Sequence, residues 1–183
     1  MSGIVKNVSS ARDRVLHTAT RLFYAEGIHT VGVDRVIADA SVAKATFYHH
    51  FKSKEDLVVA YLTTEYERQR GVLSAVPGTG LDRLTAILTK LASLSAGPGF
   101  RGCPFLNAAA EYPDPTTPVR RLVDEYRAWY RTLMRDLLVE AERPDVDEKA
   151  DLLLLVRDGI TLAGGLGDQA AVQAGVRTAL AVV

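Results

Sequence analysis

Apolar residues recur at helical spacing along the chain. Val15, Leu16, Ala19, Leu22 and Phe23 fall at i, i+1, i+4, i+7 and i+8, which places them on one face of a first helix. Ser10 and Asp13 make a capping-box pattern at its start, and Gly27 supplies a residue at ease in the left-handed region at its end. Val36, Ile37 and Ala40 mark a second, short helix with Gly32 as a tolerable N-cap. Ser41-Val42-Ala43 interrupts the pattern. A third helix over about 44–50 follows, with Phe47 and Phe51 directed inward. Ser53-Lys54-Glu55-Asp56 is a second capping box, opening a longer helix with apolar Leu57, Val58, Tyr61 and Leu62 that runs to about Val76.

Pro77-Gly78-Thr79-Gly80 is a turn and a boundary. Leu81, Leu84, Ile87, Leu88, Leu91 and Leu94 then give a fifth helix with an apolar face, ended by the loop 96–102. Pro104 suits the first position of a sixth helix, which makes Cys103 its N-cap. Thr117-Pro118 opens the longest helix, striped by Val119, Leu122, Val123, Tyr126, Leu133, Leu137 and Leu138 and stopped before Pro144. Asp145 and Asp168 stand as N-caps of the last two helices, the first of them leucine-rich over 152–155 and small-residue-rich over 163–167. The pattern predicts an all-α protein of about nine helices. A head at 1–54, a connecting helix at 55–76 and a second helical region at 77–183 are expected.

Length and composition suit one large or two small domains with a buried core. No run reaches the roughly 20 apolar residues of a membrane span, the longest being broken by Arg157 and Asp158. The first 14 residues hold no apolar stretch of signal-peptide length, so a cytoplasmic location is expected. One cysteine excludes an internal disulfide. Net charge is zero, yet it is unevenly placed: residues up to Lys54 carry eight Lys or Arg against four Asp or Glu, a net of +4, and the remainder carries −4. All four histidines also lie in the basic segment. Such local basicity is the electrostatic footprint of phosphate binding.

The segment 32–51 therefore has the layout of a helix-turn-helix, whose second helix lies in a DNA major groove. Its end, Thr46-Phe47-Tyr48-His49-His50-Phe51-Lys52-Ser53-Lys54-Glu55-Asp56-Leu57, resembles the signature of TetR/AcrR-type transcriptional regulators. The resemblance is specific over about the first third of the chain. Ser41 stands where the family usually has Gly, at a cost on the order of 1 kcal/mol if the residue is left-handed, and Ala43 stands where it often has a capping Ser. Lys44 can donate to guanine O6 or N7 or to a phosphate. Thr46, Tyr48 and His49 can donate to phosphates, as the matching family positions do, with Lys54 and Thr30 as further phosphate contacts.

In the C-terminal region Phe100, Cys103, Asn107, Glu111, Tyr126, Trp129 and Asp158 are the candidates for contacting a small-molecule effector. Tyr and Trp pair apolar area with a polar tip, so Tyr126 and Trp129 suit either a core or a pocket wall, whereas Tyr130 suits core. Glu111 and Asp158, set in apolar helices, call for an internal Arg or a ligand's polar group. Cys103 suits a thiol sensor, its acidity raised by a helix end and by Arg101, or a small buried hydrophobe. The surplus apolar surface of the last two helices, about 146–183, predicts a homodimer through a four-helix bundle. The resemblance implies a dimeric repressor that releases a palindromic double-stranded DNA operator on binding a small molecule; a thiol-based sensor and a sequence-tolerant architectural binder are the alternatives. An enzyme is not expected, since Cys103 has no histidine outside the head to serve as base, and no cofactor, catalytic or metal-binding pattern is present.

Overall fold

The computed structural model describes residues 10–183. Residues 1–9, which make up most of the segment that lacks a signal-peptide run, lie outside that range. Nine helices make up the regular structure of the described residues: α1 (Ala11–Glu26), α2 (Val33–Asp39), α3 (Lys44–His50), α4 (Lys54–Ser74), α5 (Gly80–Ser95), α6 (Pro104–Glu111), α7 (Pro118–Glu140), α8 (Val146–Gly165) and α9 (Gln169–Val182). The all-α fold predicted from the periodicity is the one observed. The chain divides into two compact units, the first ending at Tyr61 and the second beginning at Leu62.

In the first unit both halves of the predicted capping box are made. Ser10 Oγ accepts from the Asp13 amide at 3.1 Å, and Asp13 accepts from the Ser10 amide at 3.2 Å. Val15, Ala19, Leu22 and Phe23 of α1 are buried with Val36 of α2, Phe47 of α3 and Leu57, Val58 and Tyr61 of α4. The rings of Phe23 and Tyr61 meet at 5.9 Å. Ser41 turns α2 into α3 at φ 51°, the left-handed conformation for which glycine would be easier. Ala43 leaves α3 without a side-chain cap, so Phe47 and the following Phe51, both buried, hold this short helix in place.

In the second unit α7 and α8 pack together, with α5, α6 and α9 around them. Thr117 caps α7 by accepting from the Arg120 amide, and Asp168 caps α9 by accepting from the Ala171 amide. Close approach depends on two glycines. A Cβ on Gly175 would lie 2.5 Å from Ile160 Cγ1, and one on Gly164 would lie 2.6 Å from Ser95 Cβ. The small residues thus serve packing inside the chain, α9 on α8 and α8 on α5.

Three expectations need correction. Asp145 precedes α8, but at φ 56° its side chain makes no cap. Leu94 is 54% exposed, because its neighbour Ser95 takes the inward position against Gly164. Helix α4 ends at Ser74, where Arg83 of α5 donates to the carbonyls of Leu73 and Ser74 and satisfies the last turn.

Candidate nucleic-acid interface and buried polar cluster

On the first unit, burying Phe47 and Phe51 leaves the other side of α3 to solvent. Lys44, Tyr48, His49 and His50 are exposed there, and Thr46 is half-buried. Tyr48 is edge-on to Phe47 at 5.1 Å, a contact that orients the ring of an otherwise exposed residue. Lys52 donates to the Tyr48 carbonyl at 3.4 Å and so satisfies part of the end of α3. Lys54, at the start of α4, donates to the carbonyl of His29 at 3.5 Å. That contact brings Lys54 beside Thr30, an exposed residue of the α1–α2 loop. The six residues singled out in the sequence therefore lie on α3 and on the loop and helix start that meet through Lys54.

Acids temper this basic surface. Lys44 Nζ lies 3.1 Å from Asp34 Oδ1 of α2, and the hydrogen bond and charge of that partner raise the Lys44 pKa. Arg35 is held by Asp39 at 3.1 Å and Glu26 at 3.5 Å, and Arg21 also meets Asp39. Periodicity gave no sign of Asp34 as a partner, because the pair spans two helices and a turn.

In the second unit a buried arginine collects polar groups from distant parts of the sequence. Arg157 of α8 is 3% exposed and donates to Tyr126 Oη at 2.7 Å, to Cys103 Sγ at 3.1 Å and to Asp158 Oδ1 at 2.9 Å. Its guanidinium also lies over the rings of Tyr126 and Tyr130. Burial alone lowers the Arg157 pKa, but Cys103, Tyr126, Tyr130 and Asp158 outweigh it, so the group stays charged. Asp158 is shared with Arg127 of α7 at 2.5 Å. The carboxylate set into an apolar helix thus meets two internal arginines.

Tyr126 donates to Gln69 Oε1 of α4 at 2.6 Å while accepting from Arg157. Donation requires a protonated phenol, and burial raises the Tyr126 pKa well above its ordinary value despite the opposing Arg157. Phe105 stacks on Tyr126 at 3.7 Å, and Tyr66 of α4 stands edge-on to both. Trp129 is half-buried at 5.7 Å from Tyr126.

Cys103, Tyr126, Trp129 and Asp158 are therefore brought together, but Asn107 is not. Its side chain is exposed and donates to the Arg101 carbonyl at 2.9 Å, fixing the loop before α6. Phe100 is half-buried with its ring edge against Gly164, and Glu111 is half-buried at the end of α6. Arg101, expected beside the thiol, is exposed, and Arg157 takes that place. Tyr66, Gln69 and Arg127 were not anticipated as members of the cluster, since nothing local in the sequence ties them to Tyr126 or Asp158. A separate open groove of about 600 Å³ lies between the end of α4 and α5, bounded by Val72, Val76, Pro77, Ala86 and Lys90 and by none of the predicted effector residues.

Comparison with known proteins agrees with this layout. Residues 15–61 match the family model described as bacterial regulatory proteins, tetR family, and residues 80–178 match the tetracyclin repressor-like C-terminal domain. A TetR-family transcriptional regulator from Streptomyces coelicolor has the same fold with a TM-score of 0.90 at 40% identity, over 94% of this chain and 93% of that one. The transcriptional regulator YxaF of Bacillus subtilis is 35% identical over 54 residues, 29% of this chain and 28% of its own. The transcriptional repressor NemR of Escherichia coli is 29% identical over 119 residues, 62% of this chain and 60% of its own. The crystal structure of its reduced form shares the fold with a TM-score of 0.83 at 22% identity, over 92% of this chain and 94% of that one. The matched stretches thus span between about a quarter and three fifths of the length of these two curated relatives. No helix of the described residues is long and apolar enough to cross a membrane. With one family model on the helix-turn-helix head and a second covering more than half of the chain, the protein belongs to the TetR family of DNA-binding transcriptional regulators.

Proposed function

We propose that this regulator is a cytoplasmic homodimeric repressor, which holds a palindromic operator and releases it when a small molecule binds its second unit. The observation that carries the DNA half is the solvent-facing row on α3, anchored from behind by Phe47 and Phe51. Lys44 reads a base or a phosphate, while Thr46, Tyr48, His49, Lys54 and Thr30 hold phosphates and fix the register. DNA recognition belongs to residues 1–54, the helix over 55–76 connects, and residues 77–183 bind effector and partner.

Leu155 and Leu162 of α8, with Leu166 just past its end, support the dimer. They recur along one side of the helix at 67%, 63% and 76% exposure, with Gly159 open between them. Leu180 of α9 adds to the exposed apolar surface. A second copy of α8 and α9 covers this surface in a four-helix bundle and sets the distance between the two recognition helices. Leu162→Glu is expected to give a monomer by sedimentation and to weaken operator binding by at least tenfold. An undiminished dimer with this substitution would place the interface elsewhere.

The effector is proposed to act through Tyr126, Trp129, Cys103 and Asp158, with Phe100, Asn107 and Glu111 at the periphery. A ligand that reorganises this cluster in only one of two conformations shifts the spacing of the recognition helices by its differential affinity for the two. Addition of effector then lowers affinity for operator without lowering the residual affinity for random DNA. Equal loss on both would point instead to a sequence-tolerant binder.

A second reading is favoured by the 3.1 Å contact between Arg157 and Cys103 Sγ, which places a fixed cation beside the lone thiol. The relative NemR is a repressor whose structure is known in a reduced form. Modification of Cys103 would displace Arg157 from Tyr126 and so disturb the same cluster. Under this reading thiol-reactive compounds release operator from the wild type and not from Cys103→Ser. Equal release from both makes Cys103 structural.

A further inference from the structure

We propose that Asp34 is a specificity-determining partner of Lys44. Together they present a donor and an acceptor matched to the major-groove edge of one G·C pair, and Asp34 withholds Lys44 from DNA lacking that pair. This rests on the assignment of α3 as the helix that meets DNA. The two residues come from different helices, α2 and α3, and join at 3.1 Å across the turn. The Lys44 side chain is 65% exposed and that of Asp34 83%, so neither is committed to the interior and the pair can be approached from solvent.

The chemistry of the pair fits one kind of base pair. An ammonium has three N–H donors, of which Asp34 takes one, leaving two. Guanine offers two acceptors in the major groove, N7 and O6, and its cytosine offers the N4 amine beside them. A carboxylate that accepts from Lys44 through one oxygen keeps lone pairs for that amine. The contact with a G·C pair therefore leaves the ion pair intact.

Phosphate binding is opposed by the same pair. A phosphate can take Lys44 only by displacing Asp34 or by bringing two anions together, and either reduces the counterion release that drives non-specific binding. The other acids up to Lys54 have different partners: Asp13 caps α1, and Glu26 and Asp39 hold Arg35. Among these, Asp34 is the one paired with a residue of α3.

The test uses the full chain with Asp34→Asn, Lys44→Ala and the double variant, bound to a selected operator and to random duplex over a range of salt. Asp34→Asn is expected to bind random DNA about threefold to tenfold more tightly, with a salt slope steeper by about 1. Its operator-to-random ratio falls by about tenfold, and selection loses one G·C position per half-site. In the Lys44→Ala background the same exchange leaves the ratio nearly unchanged. Thermal unfolding checks that the variants remain folded, and Asp34→Ala serves as the second substitution. An undiminished ratio with the same G·C position retained overturns the inference, as does an equal effect with and without Lys44. If the wild type itself prefers no sequence, the assignment of α3 as recognition helix fails first.

Discussion

Phe47→Ala is expected to abolish operator binding although it alters none of the predicted DNA-contacting side chains. Phe47 is fully buried and meets Phe51 at 5.9 Å and Tyr48 at 5.1 Å. Truncating such a side chain costs about 3–5 kcal/mol. Domains have roughly 0.05–0.15 kcal/mol of stability per residue, so a unit ending at Tyr61 has little more than that to lose. Because α3 has no side-chain cap, its seven residues depend mainly on the buried Phe47 and Phe51, with the Lys52 contact to the Tyr48 carbonyl as a minor support. The sole tryptophan, Trp129, lies in the second unit and reports on it separately. Its fluorescence should be unchanged while proteolysis of the first unit accelerates and operator binding disappears. Retention of operator affinity by this variant would show that α3 is held by something other than its aromatic anchor.

The second large effect is expected from Asp158→Asn in the second unit. The exchange keeps the shape and removes the carboxylate that faces both Arg127 and Arg157. Leaving an almost fully buried guanidinium without its counter-charge costs about 3 kcal/mol, near the lower end for a broken buried pair because Asp158 is not fully enclosed. The Trp129 unfolding transition should move to lower temperature by several degrees. Adding Arg157→Met should recover part of the loss, because it removes the stranded cation and substitutes apolar volume. If the double variant is no more stable than Asp158→Asn alone, the cost lies in packing and not in the buried charge.

The helices were readable because their ends carry local chemistry. Ser10 with Asp13, Gly27, Pro104, Thr117 and Asp168 each act within three or four residues of themselves, and all behave as their spacing predicts. Ser41 was legible for the same reason: a turn between two short helices needs a left-handed residue, whichever side chain occupies it. Asp145 looked like a cap, but side-chain capping depends on a backbone conformation that residue type alone does not reveal.

The buried cluster was legible only one residue at a time. Cys103, Tyr126 and Asp158 stood out as a thiol, a polar-tipped aromatic and a charge in apolar surroundings. Their partners are set by packing between helices. Gln69 reaches Tyr126 across 57 residues, and Arg157 reaches Cys103 across 54. Arg157 could be seen as an interruption of an apolar run, but its place at the centre followed only from the fold. Asn107 shows the reverse error, a polar residue in a promising segment that turns outward to fix its own loop.

Selection of bound duplexes from a random pool by the full-length protein tests the account most directly. A palindrome is predicted, with half-sites one or more helical turns apart and a G·C pair in each that depends on Lys44. Recovery of sequences without symmetry or preference, at the same affinity as the starting pool, would contradict it.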